Sequence, residues 1–397
     1  MKADTNTSDH APDIGSDGAA SGGLSSDIVE RIECTIVDIP IKRLHKLSSL
    51  ATAEQNYVIV RIETREGVVG IGEASTLGGP RWSEETAESI AAVIDRYLAP
   101  AIIGKPVDGI NAISAIMDKT AKRNNAAKSS IECALFDIIS QRLGVPMHRL
   151  FGGAVRDRIR VAWTLASGDP GQEIEEAKEK LETRRHNLFK IKMGALDLAK
   201  DSARITKLAS ALGAHADLIV DANEGWDEPV AHRLLDQFDD LGIALVEQPL
   251  AAWDIEGAVR LKSRSRVPIM VDEGVFSPHD ALAVARAGAA DVVSLKLVKH
   301  GGPTGARKIA AIAESGGLSL YGGCLLESSI GAAAHLHFFA SLEKLQWHCE
   351  HFGPQILVDE IVTDPIVYED FCAVVPEGPG AGIEIDPDKL RHYRRKG

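Results

Sequence analysis

Five short apolar runs in the second half of the chain each close on an ionisable residue: Lys192, Asp221, Glu247, Asp272 and Lys296. Successive members stand 24 to 29 residues apart, about the length of one strand, one helix and their connections. Seven such runs occur in all: V-A-W-T-L-A, L-F-K-I-K-M-G, D-L-I-V-D-A-N, A-L-V-E-Q-P, P-I-M-V-D-E, D-V-V-S-L-K-L and L-S-L-Y-G-G. Amphipathic stretches separate them, and strand–helix alternation of this length specifies a parallel sheet. Ser277-Pro278-His279-Asp280 reads as a capping box opening one helix, and Gly316-Gly317 as the stop of another that begins near Thr304. An open sheet gathers its ligand groups at one switch point, whereas a closed barrel takes a group from nearly every strand end at one mouth. The expected fold class is therefore α/β, a modified (β/α)8, TIM-like barrel.

The barrel does not use the whole chain of 397 residues. From Ile32 to Thr64 the pattern is that of two antiparallel strands, and Ser83 to Leu98 and Ala126 to Leu143 have helical periodicity. The expected organisation is a disordered tail (1–27), an α+β capping domain (28–150), the barrel (151–345) and a final segment (346–397).

Net charge is −13, and the basic residues are dispersed through helices of alternating sign rather than gathered into a stripe, which argues against a nucleic-acid partner. Five cysteines, Cys34, Cys133, Cys324, Cys349 and Cys372, stand far apart with no C-x-x-C pair, as expected of a cytoplasmic chain without disulfides. No apolar run approaches the ~18 residues of a membrane span, and residues 1–27 contain no signal-like apolar core.

Three carboxylates in register at one mouth, Asp221, Glu247 and Asp272, cannot all stay ionised in a poorly solvated cavity without a cation. Hard oxygen ligands favour Mg2+ or Mn2+ over zinc. Lys190 and Lys192 flank Ile191, so the two-residue strand period puts both ammonium groups on one face. If that face is the barrel interior, the two crowd each other and the metal, which is expected to lower their proton affinity toward a general-base range. By the same alternation Asn223 shares a face with Asp221, and Ser294 with Lys296. Asp272 is followed by Glu273; spacing favours Asp272 as the ligand, with Glu273 turned away. His348-Cys349-Glu350-His351 lies outside the strand series and reads as packing or surface, and Gly301-Gly302-Pro303 and Gly322-Gly323 as tight loops.

These motifs resemble the enolase superfamily, specifically its muconate-lactonising subgroup: K-I-K (190–192), D-A-N (221–223), V-E-Q-P (246–249), V-D-E (271–273) and S-L-K-L (294–297). V-A-W-T-L-A-S-G-D (161–169), E-T-R-R-H-N (182–187) and Y-G-G (321–323) resemble muconate and chloromuconate cycloisomerases in particular. The resemblance implies Mn2+ or Mg2+ on Asp221, Glu247 and Asp272, Lys192 as acid/base assisted by Lys190, and Lys296 either stabilising charge or acting on the opposite face. It also implies Glu327 as the acidic residue near the eighth strand. Substrate contacts would come from Leu77 and Trp82 in the loop 75–82, the His45-Lys46 region and Ser294, while Asn223, on the face of Asp221, is expected either to hydrogen-bond substrate or to cap a turn. The substrate implied is a small dicarboxylate, the assembly a homo-octamer, and the final segment folds back on the capping domain. Glu224 departs from the glutamine usual after D-x-N and is expected to add negative charge beside the metal. Dipeptide epimerase and o-succinylbenzoate synthase chemistry share the lysines and ligands; a Schiff-base aldolase on Lys192 or Lys296, or a non-catalytic barrel, are readings of other classes.

Overall fold

A computed structural model describes residues 27–48 and 51–396, so the expected tail lies, but for Asp27, outside the described residues. Three antiparallel strands, β1 (Val29–Lys46), β2 (Ala51–Thr64) and β3 (Val69–Thr76), form the sheet of the capping domain in the order β1-β2-β3. The helix Asn125–Leu143 lies directly on β3. Gly70 and Gly72 permit that approach, since a Cβ at either would overlap the helix backbone at Ala134 O or Ser130 O. The helix Ala87–Val93 opens on a capping box between Thr86 and Ser89.

The seven apolar runs form one parallel sheet in sequence order, Ala162–Leu165, Leu188–Lys192, Asp217–Asp221, Leu245–Glu247, Ile269–Val271, Val292–Leu295 and Ser319–Gly322. Its two edges are joined by residues 347–350. Cys349 bridges both Val161 and Gly322 in parallel, Ala162 N–H donates to Cys349 O at 2.8 Å, and Gly322 N–H donates to His348 O at 2.8 Å. This eighth stave lies within the stretch assigned above to the final segment. It has too few apolar residues to be seen as a strand, because it is held by edges already in place on both sides.

One residue per strand fills the bottom of the barrel: Ala162, Leu188, Ile219, Leu245, Met270, Val292 and Tyr321, with Trp347 packed against them from the eighth stave. That layer fixes the register of what lies above it. Two residues further along the first six strands come Thr164, Lys190, Asp221, Glu247, Asp272 and Ser294, all buried. Beyond residue 353 the chain runs back over the capping domain, where Leu357 bridges Ile41, Arg394 bridges Val37, and Arg395 pairs with Asp38 at 2.6 Å. All five cysteines are free, and no described helix is long and apolar enough to cross a membrane.

Candidate active site

Above the bottom layer the barrel opens on a pocket walled by His45, Leu77 and Trp82 from the capping domain and by Cys324 and Leu326 from the loop after the seventh strand. Lys190, Lys192, Asp221, Asn223, Glu247, Lys296 and Glu350 complete its lining. A larger groove, about 830 Å3, runs between Arg61 and the Thr363–Leu390 stretch, but it has no lysine among its lining residues and lies away from the barrel mouth.

Ion pairs link the floor and rim of the pocket. Lys190 Nζ donates to Glu350 Oε2 at 2.5 Å, lies 2.5 Å from Glu247 Oε2 and 3.8 Å from Asp221 Oδ2. Lys192 Nζ donates to Asp221 Oδ2 at 2.5 Å and to Asn223 Oδ1 at 3.1 Å. Lys296 Nζ donates to Asp272 Oδ2 at 2.5 Å, with the Trp82 ring centre 4.1 Å away. Burial alone would lower the proton affinity of Lys190, but Glu247 and Glu350, then Tyr321 and Asp221, overcome it and hold the amine well above its ordinary value. Lys192 is likewise raised, its burial and the nearby Lys190 being outweighed by Asp221. Among the protein's own groups, the carboxylates around the two lysines thus outweigh burial and mutual crowding. The register that stacks the ammonium groups also brings carboxylates from the next strands to their height.

Glu247 tests whether these residues fit a metal. It is wholly buried, yet among the described residues neither oxygen has a hydrogen-bond partner, since Lys190 approaches Oε2 out of hydrogen-bond alignment. Burial first, then Asp221, push its carboxyl well above the usual range against the pull of Lys190. Although both members of this contact are raised, the orphaned oxygens decide how it is read: Lys190 is engaged by Glu350, and Glu247 lacks a cation of its own. Asp221, Glu247 and Asp272 are hard oxygen donors from three adjacent strands, a set that fits a divalent cation, which would supply the missing positive charge.

Asp272 is secured from two sides. Lys299 Nζ donates to Asp272 Oδ1 at 2.6 Å and Asp272 O at 2.7 Å, besides Ser294 O at 3.0 Å. Burial would raise the Asp272 carboxyl, but Lys296 and Lys299 keep it well below the usual carboxylate range. Glu273 does not turn away. Its strand ends at Val271, alternation lapses, and the buried carboxylate accepts from Asn223 Nδ2 at 2.9 Å and Trp82 Nε1 at 3.2 Å. Burial, then Asp272 and Asp221, push its carboxyl up to about 7.

Four expected positions sit otherwise. Ser294 is buried but outside the pocket lining, its unpartnered hydroxyl packed under Gly323, where a Cβ would overlap it. Lys46 donates to Ser167 O at 2.8 Å rather than lining the pocket. Glu224 is exposed and accepts from Ala252 N–H at 2.6 Å, so its charge points away from Asp221, Glu247 and Asp272. Glu327 is buried behind the pocket wall, accepting from Leu325 N–H at 2.9 Å, and 3.6 Å from His351 Nε2 and 3.9 Å from His335 Nε2. These three side chains could be taken for a second metal centre. However, Leu297 N–H donates to His335 Nε2 at 2.9 Å and His335 Nδ1 lies 2.8 Å from Gly331 O, so both ring nitrogens are occupied.

The acidic residue at the eighth stave is Glu350. It accepts from Lys190 and, at 2.8 Å, from Thr164 Oγ1. Seven apolar runs for an eight-stranded closure were the available signal: the missing stave had to bring its own residue to the mouth.

Models of two domains match the chain: "Mandelate racemase / muconate lactonizing enzyme, N-terminal domain" over residues 31–152 and "Enolase C-terminal domain-like" over residues 172–389. Muconate cycloisomerase 1 of Pseudomonas putida is 46% identical over 94% of this chain and 100% of its own length. A chloromuconate cycloisomerase of Pseudomonas putida is 42% identical over 93% of this chain and 100% of its own. The crystal structure of a muconate lactonizing enzyme from Pseudomonas fluorescens complexed with muconolactone superposes with a TM-score of 0.92 at 43% identity, covering 93% of this chain and 100% of that one.

Proposed function

Because the chain belongs to the mandelate racemase/muconate lactonizing enzyme family, we propose that it is a cycloisomerase of cis,cis-muconate and its chlorinated forms. The observation that carries this reading is the convergence of Asp221, Glu247 and Asp272 with lysines on opposite sides of one mouth, supported by relatives named for that activity. Asp221, Glu247 and Asp272 would hold Mn2+ or Mg2+, which when bound supplies the positive charge that stabilises an enolate next to a carboxylate.

The chain's own residues supply the rest. One substrate carboxylate adds to the conjugated double bond, and charge develops on the other. Lys190, fixed by Glu350, contributes an ammonium beside that charge. Lys192, held by Asp221 and Asn223, delivers the proton to carbon that completes the lactone. Lys296 faces it from the far side, beneath Trp82. Where the lactone carries chlorine, loss of chloride together with a proton from the adjacent carbon, taken up by a lysine amine, gives a dienelactone. Trp82 and Leu77 close the pocket from the capping domain and exclude water. A cytoplasmic homo-octamer completes the reading.

Assaying unsubstituted and chlorinated muconates side by side, with and without Mn2+, tests it. Lactone formation that chelation abolishes and Mn2+ restores is expected, with no imine trapped by borohydride. Turnover undiminished after exhaustive metal removal, or a trapped lysine imine, would overturn it.

A further inference from the structure

The pocket wall has two halves from two domains, Leu77 on the capping side and Leu326 on the barrel side. The residues before them are tied together by one buried amide. Gln55 Nε2 on β2 donates to Thr76 O at 2.9 Å and to Leu325 O at 2.6 Å, so both its hydrogens are used and the two walls are held at a fixed separation. Two residues along β2, on the same face, Tyr57 OH donates to Leu326 O at 2.6 Å. Both side chains are fully buried, so neither can exchange these partners for water.

The loop they hold would not keep its shape unaided. Leu326 has φ +57°, a left-handed conformation that leucine rarely adopts. Glu327 fixes Leu325 N–H at 2.9 Å from within the barrel, and Glu73 of β3 accepts from Ser328 N–H at 3.0 Å. Three of these four anchors come from the capping domain. None of Gln55, Tyr57 and Glu73 lines the pocket.

We propose that Gln55 and Tyr57 are positioning residues that set the distance between the Leu77 and Leu326 walls, and so determine how large a substituent on the substrate ring atoms or chain the pocket accepts. Discrimination between substrates is thereby governed partly by side chains that never touch one. The inference rests on the muconate reading above for its substrates but not for its geometry.

The test uses Gln55→Met, which keeps length and removes both donors, and Tyr57→Phe, which removes one hydroxyl. Thr86→Ala, loss of a helix cap remote from the loop, serves as a stability control. Three quantities are read: kcat/KM for unsubstituted and for chlorinated muconate, the thermal midpoint, and the rate of alkylation of Cys324, a buried thiol on the same loop, followed by peptide mapping. In the two wall variants the ratio of the two kcat/KM values is expected to move by about 5-fold or more, chiefly through KM. Cys324 should label about 10-fold faster. Thr86→Ala should lower the midpoint with both readouts within 2-fold of wild type. Wall variants that fold and lose stability, with ratio and labelling rate within 2-fold of wild type, would overturn the proposal. If Gln55→Met does not fold, Tyr57→Phe decides alone. If wild type turns over neither muconate, the functional reading fails, and Cys324 labelling decides whether the clamp exists.

Discussion

Replacing Glu247 with glutamine should move stability and function in opposite directions. Its carboxylate is wholly buried, neither oxygen accepts a hydrogen bond among the described residues, and burial with Asp221 pushes its proton affinity well above normal. Without a cation its counter-charge is Lys190, 2.5 Å from Oε2 but hydrogen-bonded to Glu350, and a buried group without hydrogen-bond partners costs about 1–3 kcal/mol or more if charged. Glutamine keeps the shape and removes the charge, while Lys190 retains Glu350. In chelator the variant should therefore be more stable by about 2 kcal/mol, a rise in midpoint of roughly 2–3 °C for a chain of this length. A cation at 100 times its dissociation constant adds about 2.7 kcal/mol to a protein that binds it when folded. Wild type should gain this and overtake the variant, which should gain little and be inactive. Calorimetry in EDTA and then in Mn2+, with turnover measured in parallel, gives all four values. A variant that melts below wild type in chelator, or gains as much from Mn2+, would refute the reasoning.

The two acidic candidates near the eighth stave should separate in kinetics: Glu350→Gln frees Lys190 from its hydrogen-bonded carboxylate and should cost kcat about 100-fold, whereas Glu327→Gln should lower the melting midpoint and leave kcat within about 10-fold. Equal kcat losses would show that Glu327 acts in the chemistry. Glu73 is pushed up to about 8, chiefly by burial, so the folded state holds a proton that the unfolded chain releases near pH 4.5. Its contribution is complete below that value and declines as pH rises through 8, by at most about 1.4 kcal/mol per unit. Urea midpoints at pH 5 and pH 8 should converge in Glu73→Gln, and an unchanged difference would contradict this assignment. Trp82→Tyr withdraws an indole that contacts Lys296 and Glu273, and should shift preference toward unsubstituted muconate by about 10-fold; a preference within 2-fold of wild type would show that the indole is not part of the specificity wall.

Periodicity alone determined a great deal. An alternation of two along each strand and a spacing of one strand–helix unit between strands place Lys190, Asp221, Glu247 and Asp272 on the inner face, Asp221 level with Glu247 and one alternation above Lys190, and the bottom layer beneath them follows the same count. The lysine pair, the three carboxylates and the barrel were legible for that reason. Tertiary structure decided what alternation cannot carry. The eighth stave at 347–350 has no apolar run because two existing edges order it, so Glu350 was passed over. Past a strand's end the backbone turns, which is why Glu273 remains in the mouth while Glu224 leaves it. Glu327 follows the seventh strand but is drawn under the loop by Leu325 N–H. The proton affinities of Lys190 and Lys192 were set by carboxylates on neighbouring strands, whose approach depends on closure of the barrel rather than on any spacing within one strand.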